Sequence, residues 1–183
     1  MSLRLAMTAV LLALVAAGTP SSPAQQAPAA PASPAPYALD NLPDKMPFDI
    51  PYGAPISLER AQAAIAATAA EARKHDWKLC IAVVDSGGNL VAFERMDGAQ
   101  IASVQISEHK ARASAMFRRE TKVFETAIQQ NNYNYILTLD GVIGSRGGIP
   151  LVENGKLIGG IGCSGGTGSQ DEVACKAGVL TIK

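Results

Sequence analysis

The chain has 183 residues, with 16 basic and 16 acidic side chains and a pI of about 6.7. This balance gives no reason to expect a nucleic acid or an anionic membrane as a partner, because both are bound through an excess of basic residues. The three cysteines and two histidines show no spacing typical of a zinc site.

The first residues have the pattern of a secretory signal peptide. One positive charge, Arg4, precedes an apolar run over residues 5–17, which is too short for the ~20 residues that span a bilayer. The small residues Ser22 and Ala24 occupy the −3 and −1 positions of a cleavage site. We therefore expect residues 1–24 to be removed on export, and the protein to be periplasmic or secreted.

A Pro- and Ala-rich region follows the predicted signal peptide. Residues 25–36 are almost entirely Ala, Pro, Gln and Ser, and such a segment cannot bury enough apolar surface to offset its ordering entropy. Residues 37–55 keep four prolines. Together, residues 25–55 are predicted to form a disordered tether and an extended arm that packs on the domain or on a neighbouring subunit. Residues 56–183 are long enough to form one folded domain with a single core.

The domain is predicted to begin with a helix and a hairpin. Ser57 is a suitable N-cap for a helix that ends near Lys74, in which alanines and other apolar residues recur at three- and four-residue steps. Residues 78–84 are mostly apolar and predict a strand buried on both faces. A Gly-rich turn leads to a second strand over residues 90–95.

A long helix is predicted over residues 101–117. Its apolar stripe comprises Ala102, Ile106, His109, Ala113 and Phe117, with Met116 beside it. Two interpretations of His109 remain open: a packing residue on an apolar face, or a ligand or acid–base group, since neutral imidazole is the commonest protein metal ligand. Thr121 is predicted to cap the next helix, over residues 122–130.

The last third of the chain predicts a second hairpin and a final helix. An Asn154-Gly155 turn between apolar runs is a strong hairpin signal. The run from Gly160 to Gly165 matches the dinucleotide fingerprint in its spacing, but two acids in the first turn of the following helix would repel a pyrophosphate. We interpret it as a tight strand-to-helix turn or a ligand-facing loop. Ser169 and Glu172 are predicted to form the capping box of the last helix.

The three cysteines leave the redox state open. They are Cys80, Cys163 and Cys175. An exported chain permits a disulfide, but an odd number leaves one thiol over. Cys80 and Cys163 lie in apolar strand contexts, where we expect buried small hydrophobic side chains.

The predicted element order is α-β-β-α-α-β-β-α, which indicates an α/β (α+β) fold with a mostly antiparallel sheet. Several short motifs occur along this order, and as an ordered set they are specific. They are Val84-Asp85-x-x-Gly88-x-Leu90, Met96-Asp97-Gly98-Ala99, Lys110-Ala111-x-x-x-Ala115, Arg119-x-Thr121, Gly147-Gly148-x-Pro150, Gly159-x-x-Gly162-x-Ser164-Gly165 and Gln170-Asp171-Glu172.

With these motifs, residues 56–183 resemble the GlcG/HbpS-type haem-binding (haem-degrading) family and the C-terminal domain of PduO proteins. The resemblance implies a profilin-like, three-layer α/β/α domain that assembles into homo-oligomers. It also implies that the chain binds haem or, less expected, cobalamin or another tetrapyrrole, with haem breakdown or iron release in some members.

The segment from His109 to Thr121 has the side chains that a haem site requires. Haem needs an apolar slot, one or two iron ligands and cations for its propionates, and the cations here are Lys110, Arg112, Arg118 and Arg119. The predicted cofactor-binding residues are His109, Arg112, Met116, Arg119 and Thr121, and the predicted iron ligands are His109 and Thr121. Arg119 and Thr121 fall on a motif of the family, whereas His109 rests on its chemistry alone. The sequence has no Cys-x-x-Cys-His site, so any haem would be held without covalent attachment.

Three functions remain open. The first is an exported, oligomeric haem-binding protein that sequesters haem or lets peroxide attack the ring and release iron. The second is an enzyme acting on a short organic acid, with His109, Asp85 or Asp171 as general base; no activated nucleophile or paired-carboxylate motif supports it. The third is an accessory module that binds a sensor or membrane partner through its Pro-rich arm.

Overall fold

The computed structural model describes residues 44–182. The predicted signal peptide and the tether over residues 25–36 lie outside the described residues. The elements follow in the order α1 (Leu58–Lys74), β1 (Cys80–Asp85), β2 (Leu90–Arg95), α2 (Ser103–Met116), α3 (Lys122–Gln129), a short 3₁₀ helix (Asn134–Thr138), β3 (Gly148–Glu153), β4 (Lys156–Ser164) and α4 (Gly168–Val179). The predicted α+β fold is confirmed. Within residues 44–182, no helix is long and apolar enough to cross a membrane.

The strands form one antiparallel sheet in the order β2-β1-β4-β3. Because successive side chains of a strand point to opposite faces, β1 serves two cores. Ile81 and Val83 pack with α1 and α4 on one face, whereas Ala82 and Val84 pack with α2 on the other. The sheet therefore lies between two helical layers, and β1 is buried on both sides, as its apolar sequence predicts.

Helix α2 lies unusually close to the sheet because glycines of β4 leave room for it. A Cβ placed on Gly160 or Gly162 would come closer than 3.0 Å to the α2 backbone. The buried face of α2 is correspondingly small, with Ser103, Ser107 and Ala111 on it. The fingerprint-like glycines at these two positions thus lie within a strand and serve packing, rather than forming a loop.

The apolar stripe predicted for α2 is wrong in part. Ala102 and His109 are exposed, and the buried face carries serines instead. Two of these serines satisfy their hydroxyls inside the helix: Ser107 Oγ donates to Val104 O at 2.9 Å, and Ser114 Oγ donates to Ala111 O at 2.8 Å. A serine whose hydroxyl donates to the backbone of its own helix can be buried against a sheet. For this reason, the pattern of apolar residues alone does not identify the buried face of α2.

Of the three predicted helix N-caps, the structure confirms one. Ser57 caps α1 by accepting from the Arg60 N–H, as expected. The capping box of α4 is formed by Thr167 and Gln170, not by Ser169 and Glu172, because the helix begins at Gly168 and Ser169 already lies inside it. Thr121 precedes α3 but makes no side-chain cap.

The arm before α1 extends the sheet past the end of β1. The pairing of β1 with β4 stops at Asp85 opposite Gly159. Beyond that point, the Gly53 N–H donates to Leu157 O at 2.7 Å and the Leu157 N–H donates to Pro51 O at 2.8 Å. The arm is also anchored by Tyr52, whose hydroxyl donates to Met116 O at 2.9 Å. This part of the arm therefore packs on its own domain.

One disulfide, Cys163–Cys175, joins β4 to α4 with its Cα atoms 5.8 Å apart. Cys163 is buried, as its apolar strand context predicts, and the open redox state is resolved for it by this disulfide. The spacing of the two cysteines in sequence does not reveal that α4 folds back onto β4. Cys80 is a free, buried thiol, as its apolar strand predicts, and burial raises the pKa of that thiol.

Candidate ligand-binding site

A cavity of about 730 Å³ opens where the arm, the α2–α3 turn, α3 and the following loop meet. Its volume lies within the range of about 300–1,000 Å³ that is typical of small-molecule sites. Apolar walls come from the arm, α3 and β3, and among the described residues of the lining three cations lie against one carboxylate, Glu120. The apolar lining residues are Phe48, Ile50, Val123, Ala127 and Pro150, and the cations are Arg118, Arg119 and Lys122.

The turn after α2 places Arg118 on this cavity. The residue has a left-handed backbone with φ of 55°, a conformation that costs a non-glycine residue roughly 1–2 kcal/mol. The side chain of Arg118 donates to Ile50 O at 3.1 Å and lies 3.6 Å from the Asp49 carboxylate. The turn and the arm are thereby tied together at the cavity.

Arg119 is held between two aromatic rings. Its guanidinium carbon lies 3.7 Å from the ring centroid of Phe48 and 5.6 Å from that of Phe124, and its Nε donates to Phe117 O at 2.9 Å. Burial, and then the charge of Arg118, lower the pKa of Arg119, but a guanidinium remains charged in proteins. The stacking therefore presents a fixed positive charge to the cavity.

Behind Lys122, ion pairs connect the cavity to α4. Lys122 Nζ lies 3.2 Å from Glu172, which also binds Lys176 and Arg146. Burial alone would raise the pKa of Glu172, but the hydrogen bonds from Lys176 and Lys122 outweigh burial and lower it. Arg146 in turn binds Glu125 on α3 at 2.6 Å. The start of α3 is thus fixed to the last helix.

Residues 56–180 match the family model described as "Haem degrading protein HbpS-like". The chain belongs to the HbpS-like family. GlcG of Escherichia coli K12 is 40% identical over 109 residues, which cover 60% of this chain and 81% of GlcG. The match to the family begins at Ile56, so the arm residues that line the cavity precede it.

Two solved structures of similar fold bear on the HbpS-like domain. A double mutant of HbpS from Streptomyces reticuli has a TM-score of 0.65 and 25% identity, covering 83% of this chain and 98% of that protein. The crystal structure of a PduOC:Heme complex has a TM-score of 0.65 and 25% identity, covering 70% of this chain and 96% of that protein.

Of the five predicted cofactor-binding residues, Arg119 lines the cavity of the HbpS-like domain. Thr121, two residues after Arg119, is fully buried. The Thr121 hydroxyl accepts from the Gly148 N–H at 3.0 Å, and the Thr121 N–H donates to Gly148 O at 2.9 Å. This pair of bonds ties the start of α3 to the start of β3. Thr121 is not among the residues that line the cavity.

The other three predicted residues lie along the exposed side of α2. His109 and Arg112 border a separate depression of about 290 Å³, together with Gln105, Glu108 and Gly141. Arg112 Nε donates to Gly88 O at 3.1 Å, and Met116 packs beside the same glycine, half exposed. The two predicted iron ligands, His109 and Thr121, therefore lie in different surroundings.

One cation considered from the sequence, Lys110, has a structural partner instead. Its side chain is 1% exposed, and its Nζ lies 2.8 Å from Asp171 Oδ2 and 3.1 Å from Cys163 O. Asp171 Oδ1 also accepts from the Gly166 N–H at 3.0 Å. Burial raises the pKa of Asp171, while the charge of Lys110 acts in the opposite direction.

Two of the three candidate general bases of an organic-acid enzyme, Asp171 and Asp85, have similar structural roles, whereas His109 is exposed on α2. Asp171 is buried in the pair just described. Asp85 accepts from the Gly87 and Asn89 N–H groups at 2.8 and 2.9 Å and so closes the β1–β2 turn. Burial alone would raise the pKa of Asp85, but these hydrogen bonds outweigh burial and lower it. A carboxylate so engaged is a poor proton acceptor.

Sequence reasoning missed Phe48, Ile50 and Lys122 as lining residues. The polar, aromatic loop over residues 131–135 favours surface packing for Tyr133, with a place in a pocket as the alternative, and the structure places Tyr133 on the lining of the cavity. The available signal was the cluster of basic residues at 118–122 beside aromatic and apolar residues. The arm lies some 70 residues before this cluster in the sequence, and no periodicity predicts that it packs beside the cluster in the fold.

Proposed function

We propose that this HbpS-like protein binds haem, or a related tetrapyrrole, in the cavity formed by the arm, the α2–α3 turn and α3. The observation that carries the proposal is an apolar cavity of about 730 Å³ with three cations on its lining. Haem has two apolar ring faces and anionic propionates, so these walls and cations match its chemistry. A large neutral apolar ligand would not require the cations, and a small polar anion would not require the walls.

The relatives support the same ligand class. The family is described as haem-degrading, and the similar PduOC structure is that of a haem complex. When bound, haem would supply an iron centre, and the residues of this chain would bind the ring, orient the propionates and exclude water. We propose haem sequestration as the primary activity, with haem breakdown or iron release as the finer activity that the family description supports.

We further propose that the protein is exported to the periplasm or secreted. The Cys163–Cys175 disulfide supports this location, since disulfides persist in oxidising compartments. Homo-oligomerisation is proposed from the family resemblance alone. A sensor or membrane partner bound through the Pro-rich arm stays a prediction.

Titration of the purified protein with hemin, followed by its Soret band, tests the haem proposal. We expect saturable binding with a shifted band. In the variant Ala127→Trp, a large ring replaces a small side chain that lines the cavity, and we expect hemin affinity to fall at least about tenfold, because the added volume competes with the ligand.

The matched control is Ala66→Trp, which adds the same ring to an exposed position of α1. We expect this control to bind hemin as the natural chain does. Non-saturable binding by the natural chain, or equal affinities of Ala127→Trp and Ala66→Trp, would count against haem in this cavity.

A further inference from the structure

The cavity is lined by a residue of a type that binds haem iron. Proteins use His, Cys, Met or Tyr for this purpose. Among the described residues that line the cavity, Tyr133 alone belongs to that set. The predicted ligand His109 borders the separate depression on α2, and the Thr121 hydroxyl accepts the Gly148 N–H outside the lining.

The backbone around Tyr133 is fixed on both sides. Its N–H donates to Ala127 O at 3.0 Å, at the end of α3, and its carbonyl accepts from the Ile136 N–H at 3.1 Å, inside the 3₁₀ helix. The preceding residue, Asn132, has a left-handed backbone with φ of 56°, which Asn tolerates better than most residues. The loop therefore leaves α3 sharply and brings the half-buried ring of Tyr133 to the cavity.

The charges of the cavity suit an anionic ligand. Arg118, Arg119 and Lys122 line the same space and outnumber its described carboxylate, Glu120. Opposite charges within a partly enclosed site attract more strongly than in bulk water. A phenolate oxygen and two propionates would add negative charge where these cations already lie. A neutral thioether or imidazole ligand would gain less from the same surroundings.

We propose that Tyr133 is the residue of this chain that would hold the iron of ferric haem, an inference that rests on the proposed function. Tyr133 would supply a phenolate oxygen to the iron, and the phenol proton would be released to solvent, as expected when a protein ligand must be deprotonated. The iron keeps its oxidation state, so no oxidant or reductant is required.

Resonance Raman and absorption spectra of the hemin complex test this assignment. The natural chain should give tyrosinate vibrations coupled to an iron charge-transfer band. Tyr133→Phe should lose these signals and bind hemin about tenfold or more weakly, in line with the losses seen when a metal site is altered. Tyr133→His should restore tight binding with an imidazole-type spectrum instead.

The matched control is Tyr135→Phe. The two rings lie 6.1 Å apart, but Tyr135 is 50% exposed and is not among the lining residues. We expect Tyr135→Phe to keep the tyrosinate signals. Circular dichroism of each variant checks that the fold is retained.

The outcomes separate the two proposals. If the natural chain binds hemin saturably but its spectrum lacks tyrosinate signals, or if Tyr133→Phe keeps them, the ligand assignment is overturned while haem binding stands. If the natural chain shows no saturable binding, the proposed function is overturned and the ligand assignment with it.

Discussion

Gly160 and Gly162 set the distance between α2 and the sheet. Both lie in β4 directly beneath α2, where any side chain would meet helix backbone. The missing side chains allow small residues of α2, such as Ala111, to pack on the strand itself. The position of α2 fixes the turn that follows it, and hence the place of Arg118 and Arg119 on the cavity.

Replacing Gly162 by Ala should lower the free energy of unfolding by about 3 kcal/mol, because its Cβ would overlap Ser107 O and the Ala111 backbone. Gly155→Ala is the control: φ there is +73°, but nothing lies within 4 Å of the added Cβ, so the loss should be only about 1 kcal/mol. Urea unfolding measures both. Equal losses of unfolding free energy in the two variants would contradict the explanation that Gly162 is required by the close contact between α2 and β4.

Acid should destabilise the fold partly through Glu125. Burial alone would raise the pKa of this carboxyl, but hydrogen bonds from Arg146 outweigh burial and hold the pKa below its ordinary value of 4.5. A carboxyl with a lowered folded-state pKa adds stability above its unfolded pKa, and that stability is lost as pH falls through the folded-state value. Unfolding free energies measured below pH 4.5 should therefore decline less steeply in Glu125→Gln than in the natural chain. The same slope in both would argue against a role for this carboxyl.

At the scale of elements, the buried Lys110–Asp171 pair connects α2 to α4 across the end of β4. The two residues lie 61 positions apart, and lysine is rarely fully buried. Sequence patterns therefore favour a solvated Lys110, and only the folded arrangement of the two helices reveals its partner.

Lys110→Met should destabilise the protein by about 3–5 kcal/mol, because it leaves the Asp171 charge buried without a partner. The double variant Lys110→Met with Asp171→Leu should recover much of this loss, since both charges are then absent. A double-mutant cycle from urea unfolding gives the coupling between them. Strictly additive losses would show that the pair is not coupled.

The arm preceding α1 acts as one wall of the cavity. Phe48→Ala removes the ring that stacks on Arg119 at 3.7 Å, so we expect hemin affinity to fall by about tenfold, which corresponds to about 1.4 kcal/mol. Met46→Ala, an arm residue that is 69% exposed, serves as control and should bind as before. Soret titrations measure the hemin affinity of the two variants. Identical affinities would show that the arm does not contribute to hemin binding.

At the scale of the whole molecule, local patterns predicted the architecture well. The element order, the Ser57 cap and the Asn154-Gly155 hairpin each follow from neighbouring residues, and the structure confirms them. The family, too, was evident from short motifs along the chain. Such features depend on interactions between residues close in sequence, which a periodicity or a turn signal records directly.

Features that depend on tertiary contacts were not predictable in this way. The buried face of α2 is chosen by the glycines of β4, and Cys163 finds Cys175 only because α4 folds back onto its strand. The cavity joins an arm at Phe48 to a loop at Tyr133. No local rule connects these segments, so sequence reasoning placed the site over residues 109–121, of which Arg119 lines the cavity.

We propose that a tetrapyrrole binds between the arm and α3. Amide chemical shifts of the isotope-labelled protein, recorded on adding diamagnetic zinc protoporphyrin, report where it binds. We expect the largest changes to fall on residues 48–50, 118–127 and 131–133. Changes centred instead on Gln105, His109 and Gly141, or spread evenly over the chain, would contradict it.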